Sequence, residues 1–187
     1  MSKVMAQAAP ATSTSPSTAP LQFRKPNPED GAAVHALVAA CAPLDPNSLY
    51  CNLLQCTHFR DTAILAERDG TLMGFISGYR LPEQPDTLFV WQVAVSAQAR
   101  GQGLASRLLT ELLARPQLSS VRHLHTSITP GNTASYRTFE RLAQTLEAPL
   151  QERVMYDKEL HFNGEHDTEM LVHIGPFETT RLSAASH

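Results

Sequence analysis

Gly101-Gln102-Gly103-Leu104-Ala105-Ser106 has the residue types and spacing to hold a pyrophosphate. Glycines allow a tight turn, and the first amides of a following helix have no partners inside it and can point at an anion. The six residues match most of the dinucleotide fingerprint G-x-G-x-x-G/A, but the physics fits any pyrophosphate. Three contexts speak against a dinucleotide. The turn lies past mid-chain, a serine stands where the third glycine would be, and the next strand-like stretch, RHLHTSI, ends without an acid for a ribose diol. A Walker loop is excluded because no Lys-Ser or Lys-Thr follows the glycines. His161, His166 and Asp167 are metal-ligating types, but they share one polar loop without a helical H-x-x-x-H register, so no metal is expected.

The elements around the glycines must present them. LFVWQVAV before them is apolar almost throughout, as in a central strand covered on both faces. Leu104, Leu108, Leu109, Leu112 and Leu113 then recur at helical spacing. Upstream, LQFRK reads as a first strand, and Asn27-Pro28-Glu29-Asp30 as a helix start with a cap, a first-turn proline and acids at the positive dipole end. Val34, Leu37, Val38 and Cys41 form that helix's apolar stripe, and a second helix follows Asp45-Pro46, with Leu49, Leu53, Leu54 and Phe59 apolar. AILAER and LMGFISGYRL, split by Asp69-Gly70, predict a hairpin, and PEQPDT a loop. RHLHTSI is a strand, Asn132 opens a helix carrying Tyr136, Phe139, Leu142 and Leu146, and VMYDKEL and EMLVHI are two strands joined by the loop HFNGEHDT. The succession predicts a mixed α/β sheet flanked by helices.

At 187 residues, 42% hydrophobic and 18% charged, the chain suits one domain. It is expected over 21–177, with a disordered tail over 1–20, rich in Ala, Ser, Thr and Pro, and a flexible end over 178–187. A net charge of −3 gives no attraction for nucleic acid or an anionic membrane, which leaves a small soluble ligand as the expected partner. Cys41, Cys51 and Cys56 are an odd set without a Cys-x-x-Cys pair and suggest neither a disulfide framework nor zinc. The N-terminal residues lack the leucine-rich core of a secretion signal, and no apolar run is long enough to span a bilayer, so a cytoplasmic protein is expected.

Read from three residues earlier, Gln98-Ala99-Arg100-Gly101-Gln102-Gly103 is Q-x-x-G-x-G. With its strand before and the Asn132 helix after, this segment resembles the GNAT family of N-acetyltransferases. The resemblance implies a centrally splayed GNAT-type sheet and acetyl-CoA as co-substrate. It also implies a coenzyme dock formed by Gln98, Arg100, Gly101, Gln102, Gly103, Leu104 and Ala105, with backbone at Val93 and Val95 pairing the pantetheine arm. Asn132 and Ser135 match the family's N-x-x-[AS]-x-x-x-Y segment. Its last position, often a tyrosine proposed to reprotonate the thiolate, is Phe139 here; Tyr136 lies one turn earlier, and no general acid is assigned.

PLDPNSLYCNLLQCTHF, FVWQVAV, SITPGNTASYRTFERLA and HFNGEHDTEMLVHI together resemble the diaminobutyrate acetyltransferases of ectoine biosynthesis, over roughly residues 21–177. This implies acetyl transfer to the side-chain amine of L-2,4-diaminobutyrate. It also implies a pocket of Asp45, Tyr50, Trp91, His166 and Glu169, with Glu169 as proton acceptor and Asp45 as ammonium anchor; a homodimer is a further expectation of the resemblance. Bland readings stand beside these: Asp45 as a helix cap, Tyr50 and Trp91 as core aromatics, and Glu169 as a solvated residue before a strand. The competing functions are transfer to a peptide amine and a coenzyme A sensor without catalysis.

Overall fold

The computed structural model describes residues 19–42, 44–179 and Leu182. Seven strands form one sheet in the order β1-β2-β3-β4-β5-β7-β6: β1 Gln22–Arg24, β2 Ile64–Arg68, β3 Thr71–Leu81, β4 Gln84–Val95, β5 His123–Ile128, β6 Leu150–Tyr156 and β7 Glu169–Ile174. Among the described residues they are accompanied by the helices α1 Gly31–Ala39, α2 Leu49–Thr57, α3 Leu104–Leu113, α4 Thr133–Leu146 and α5 Lys158–Phe162. Every pairing is antiparallel except β4 with β5, the one pair joined through a helical crossover.

The two faces of the sheet are covered differently. Leucines of α3 and Phe139, Leu142 and Leu146 of α4 pack with Ile76, Val90, Leu124 and Val172 in the larger core. Val34, Leu37, Val38 and Cys41, from α1 and its end, close the other face against Leu65, Phe75 and Ala94. Asn27 begins this helical region as expected, in a capping box with Asp30, although the first turn is 3-10. Asp69 and Gly70, at φ 50° and 71°, make the β2–β3 turn that an Asp-Gly pair favours.

Four expectations are corrected. PEQPDT is not a loop: β3 and β4 run on to meet at Pro82-Glu83. The strand expected through VMYDKEL stops at Tyr156, because the Asp157 carboxylate accepts from the amides of Glu159 (2.9 Å) and Leu160 (3.1 Å) and starts α5. The second helix begins at Leu49 with Ser48 as its cap, not at Asp45. It also buries Asn52 and Gln55 while Leu49 and Phe59 stay exposed. Asn52 accounts for part of this inversion: it bonds His35 of α1 (3.0 Å) and Gln55 (3.0 Å), so polar groups can be buried with partners. Within the expected C-terminal tail, Thr179 and Leu182 are buried and Glu178 pairs with Arg122. Residues 180, 181 and 183–187 lie outside the described residues, as do 1–18 of the expected N-terminal tail.

Candidate active site

The site begins where β4 and β5 part. Their pairing runs from Thr87↔His123 to Val90↔Thr126 and ends there, although β4 continues to Val95. Backbone of β4 beyond Val90 therefore faces a gap, and two cavities open along it.

The first, about 520 Å³, is lined by Val93 and Val95 of β4, by Arg100, Gly101, Gly103, Leu104 and Ala105 of the turn, and by Asn132 and Ser135. Gly103 is the N-cap of α3 at φ 74°, and no side chain bonds the helix's leading amides. Gly101 has the same φ, and a Cβ at either glycine would meet nothing within 4 Å. The turn thus leaves both its donors and the space before them open to an anion. Asn132 caps α4, its Oδ1 accepting from the Ser135 amide (3.1 Å). Arg100, Arg137 and Arg141 make this lining basic, and it contains no carboxylate.

Gln98 and Gln102 are not brought to the lining. The Gln102 side chain instead donates to the Gln98 carbonyl (2.8 Å) and braces the turn. The Val95 carbonyl is occupied as well, accepting from Cys41 Sγ (3.3 Å) and Arg100 Nε (3.1 Å). The Arg100 bond uses Nε and leaves the terminal nitrogens of that guanidinium for a phosphate.

The second cavity, about 620 Å³, shares Leu44, Val93, Asn132, Ser135 and Phe139 with the first, so the two meet beside β4. Asp45, Trp91, His166 and Glu169 line it. Tyr50 does not; it stands 69% exposed on α2. Trp91 owes its position to a bulge: Gly78 pairs Val90 and Ser77 pairs Gln92, which leaves Trp91 as the extra residue. The bulge leaves Trp91 43% exposed and buries Gln92, whose Nε2 donates to the Asp45 carbonyl (2.8 Å) and ties the α1–α2 connection to the strand. Asp45 is therefore held by the sheet and does not cap α2. Glu169 is the first residue of β7, opposite Tyr156 of β6.

The His166 ring packs on Phe162 (4.8 Å between centroids), and its Nδ1 donates to the Asp167 carbonyl (2.8 Å), not to Glu169. His161 Nδ1 accepts from the Asp157 amide and Asp167 pairs with Lys158, so the three metal-ligating types of this loop are turned to separate tasks. Among the described residues no group of three or more His, Cys, Asp or Glu side chains is placed to hold a metal.

Sequence reasoning missed Tyr156 and Lys158 in the second cavity and Arg137 and Arg141 in the first. The arginines carried a signal, two cations four apart on the Asn132 helix. The tie of Gln92 to Asp45 carried none, because the bulge that turns Gln92 inward shows only in the strand register. Phe139 lines both cavities, whereas Tyr136 lines neither and its buried hydroxyl has no partner.

A splayed parallel pair, open amides at a helix start and a basic groove leading to an acidic cavity define a coenzyme A-dependent acyltransferase. The sequence profile of the acetyltransferase (GNAT) family matches residues 32–143. The L-2,4-diaminobutyric acid acetyltransferase of Methylotuvimicrobium alcaliphilum is 54% identical over 161 residues, covering 86% of this chain and 94% of its own. That of Halomonas elongata is 48% identical over 164 residues, 87% of this chain and 85% of its own. The diaminobutyrate acetyltransferase of Paenibacillus lautus, solved with its substrate L-2,4-diaminobutyric acid and coenzyme A, superposes with a TM-score of 0.82 at 40% identity, over 85% of this chain and 96% of that one. The chain belongs to the GNAT acetyltransferase family, among the diaminobutyrate acetyltransferases.

Proposed function

We propose that this protein transfers acetyl from acetyl-CoA to the side-chain amine of L-2,4-diaminobutyrate, giving the N-acetyl precursor of ectoine. The observation that carries the reading is the charge division between the joined cavities. One is lined by three arginines and no acid, the other by Asp45, Glu165, Asp167 and Glu169. The first suits the phosphates of coenzyme A and the second a dication.

The amides opening α3 and the three arginines hold the phosphates, and the free β4 backbone at Val93 pairs with the pantetheine amides. An aliphatic ammonium has a pKa near 10 and must lose a proton before its nitrogen attacks. Glu169 accepts that proton, directly or through water. Asp45 anchors the other ammonium, with Trp91 as an aromatic wall and His166 beside the substrate. The amine then attacks the thioester carbonyl, the Val93 amide meets the oxyanion, and collapse breaks the C–S bond, the departing thiolate taking up the proton that the new amide nitrogen sheds.

Among the described residues no helix is long and apolar enough to cross a membrane, in keeping with a reaction in the cytoplasm. Exposed Val154 and Leu160 leave apolar surface that supports pairing with a second copy.

The test is thiol release from acetyl-CoA with L-2,4-diaminobutyrate and with peptides, followed by mass-spectrometric localisation of the acetyl group. Turnover of the diamine with acetyl on the side-chain nitrogen is the expected result. Turnover with peptides alone, or coenzyme binding without turnover, overturns the reading.

A further inference from the structure

The proposed substrate carries a carboxylate as well as two ammonium groups, and a wall with four acids repels it. Among the described residues lining that cavity there is one Lys or Arg, Lys158. It opens α5, and the chain fixes its backbone from two sides. The Asp157 carboxylate caps the helix start, and the Lys158 amide donates to Thr168 Oγ1 (3.1 Å), one residue before Glu169. The cation and the proposed proton acceptor are thus tied to the same short segment.

Lys158 Nζ lies 3.3 Å from Asp167 Oδ1, with the side chains 45% and 74% exposed. An exposed pair of this kind contributes little and exchanges readily, so Asp167 orients the ammonium without consuming its capacity to bind an anion. The other cations near the coenzyme, Arg100, Arg137 and Arg141, line the neighbouring cavity and serve its phosphates.

Resting on the acetyl-transfer reading above, we infer that Lys158 receives the carboxylate of the diamino acid and sets the preference for an amino acid over a plain diamine. Asp45 and Glu169 take the two nitrogens, and Lys158 takes the third charge.

The comparison substrate is 1,3-diaminopropane, which keeps both amines and lacks the carboxylate. Lys158→Gln should lower kcat/KM for L-2,4-diaminobutyrate about 10- to 100-fold, mainly through KM, the size expected for a lost charge-assisted bond. It should change kcat/KM for 1,3-diaminopropane by less than about threefold, so the preference collapses. Lys158→Arg should retain the preference, and unchanged coenzyme A affinity in both variants reports an intact fold. An equal loss on both substrates, or no loss on either, overturns the inference while the acetyl-transfer reading stands. A wild-type protein inactive on the diamino acid overturns both.

Discussion

The proton transfer proposed for Glu169 is the part of the chemistry that a single substitution isolates. Its carboxylate stands at the start of β7 in the acid-lined cavity, away from the glycine turn and the arginines that suit the coenzyme. Glu169→Gln keeps the shape and removes the proposed proton acceptor. Turnover should fall by about 10²- to 10³-fold, as for loss of a positioned general base, while coenzyme A affinity measured by calorimetry stays within about twofold. Equal turnover in the two proteins across pH removes Glu169 from the mechanism. That Asp45 and Glu169 line one cavity was legible because they sat in stretches that resemble a family. Lys158 was not, since the sequence reads VMYDKEL as one strand, and only the Asp157 cap turns the lysine into a helix start beside the site.

The strand, turn and helix formed by β4, residues 96–103 and α3 were almost fully legible, because apolar continuity, two glycines and leucines at helical spacing all point to one arrangement. Less legible was whatever depends on a partner element. The bulge that separates Trp91 from Gln92 exists only against β3, and the burial of Asn52 and Gln55 in α2 depends in part on His35 of α1. An apolar count cannot see a polar pair that finds its partner across a helix interface. The turn itself makes a prediction at this scale. Gly103→Val puts a branched side chain at φ 74°, costing about 1–2 kcal/mol of strain, and fills the open space before the α3 amides. Coenzyme A affinity should fall at least tenfold by calorimetry, with the melting temperature lowered by several degrees. Retained affinity contradicts the proposed dock.

For the molecule as a whole, a histidine cluster on two inner strands of the sheet imposes a pH limit on stability. On β5 and β7, His123, His125 and His173 stand side by side. His123 Nδ1 is 3.0 Å from His173 Nε2, and the His125 ring meets His173 edge-on at 4.9 Å. Burial, reinforced by the charges of His173, His123 and Arg153, holds His125 down at about 4, and burial likewise lowers His173. An unfolded histidine titrates near 6.5, so between about pH 6.5 and pH 4 the unfolded chain binds more protons than the folded one. Stability is therefore complete above about pH 6.5 and is lost as pH falls toward 4. The loss attributable to His125 should be about 1–2 kcal/mol, less than the full shift implies because the ring is only partly buried. Denaturant unfolding at pH 7.5 and 5 measures it: the wild-type midpoint should drop, and His125→Gln, which cannot take a proton, should drop less. Equal drops in the two proteins would place the acid sensitivity elsewhere, as at His173, because paired carboxylates such as Asp30, which Arg24 holds below the usual range, take up protons only below the pH of this test.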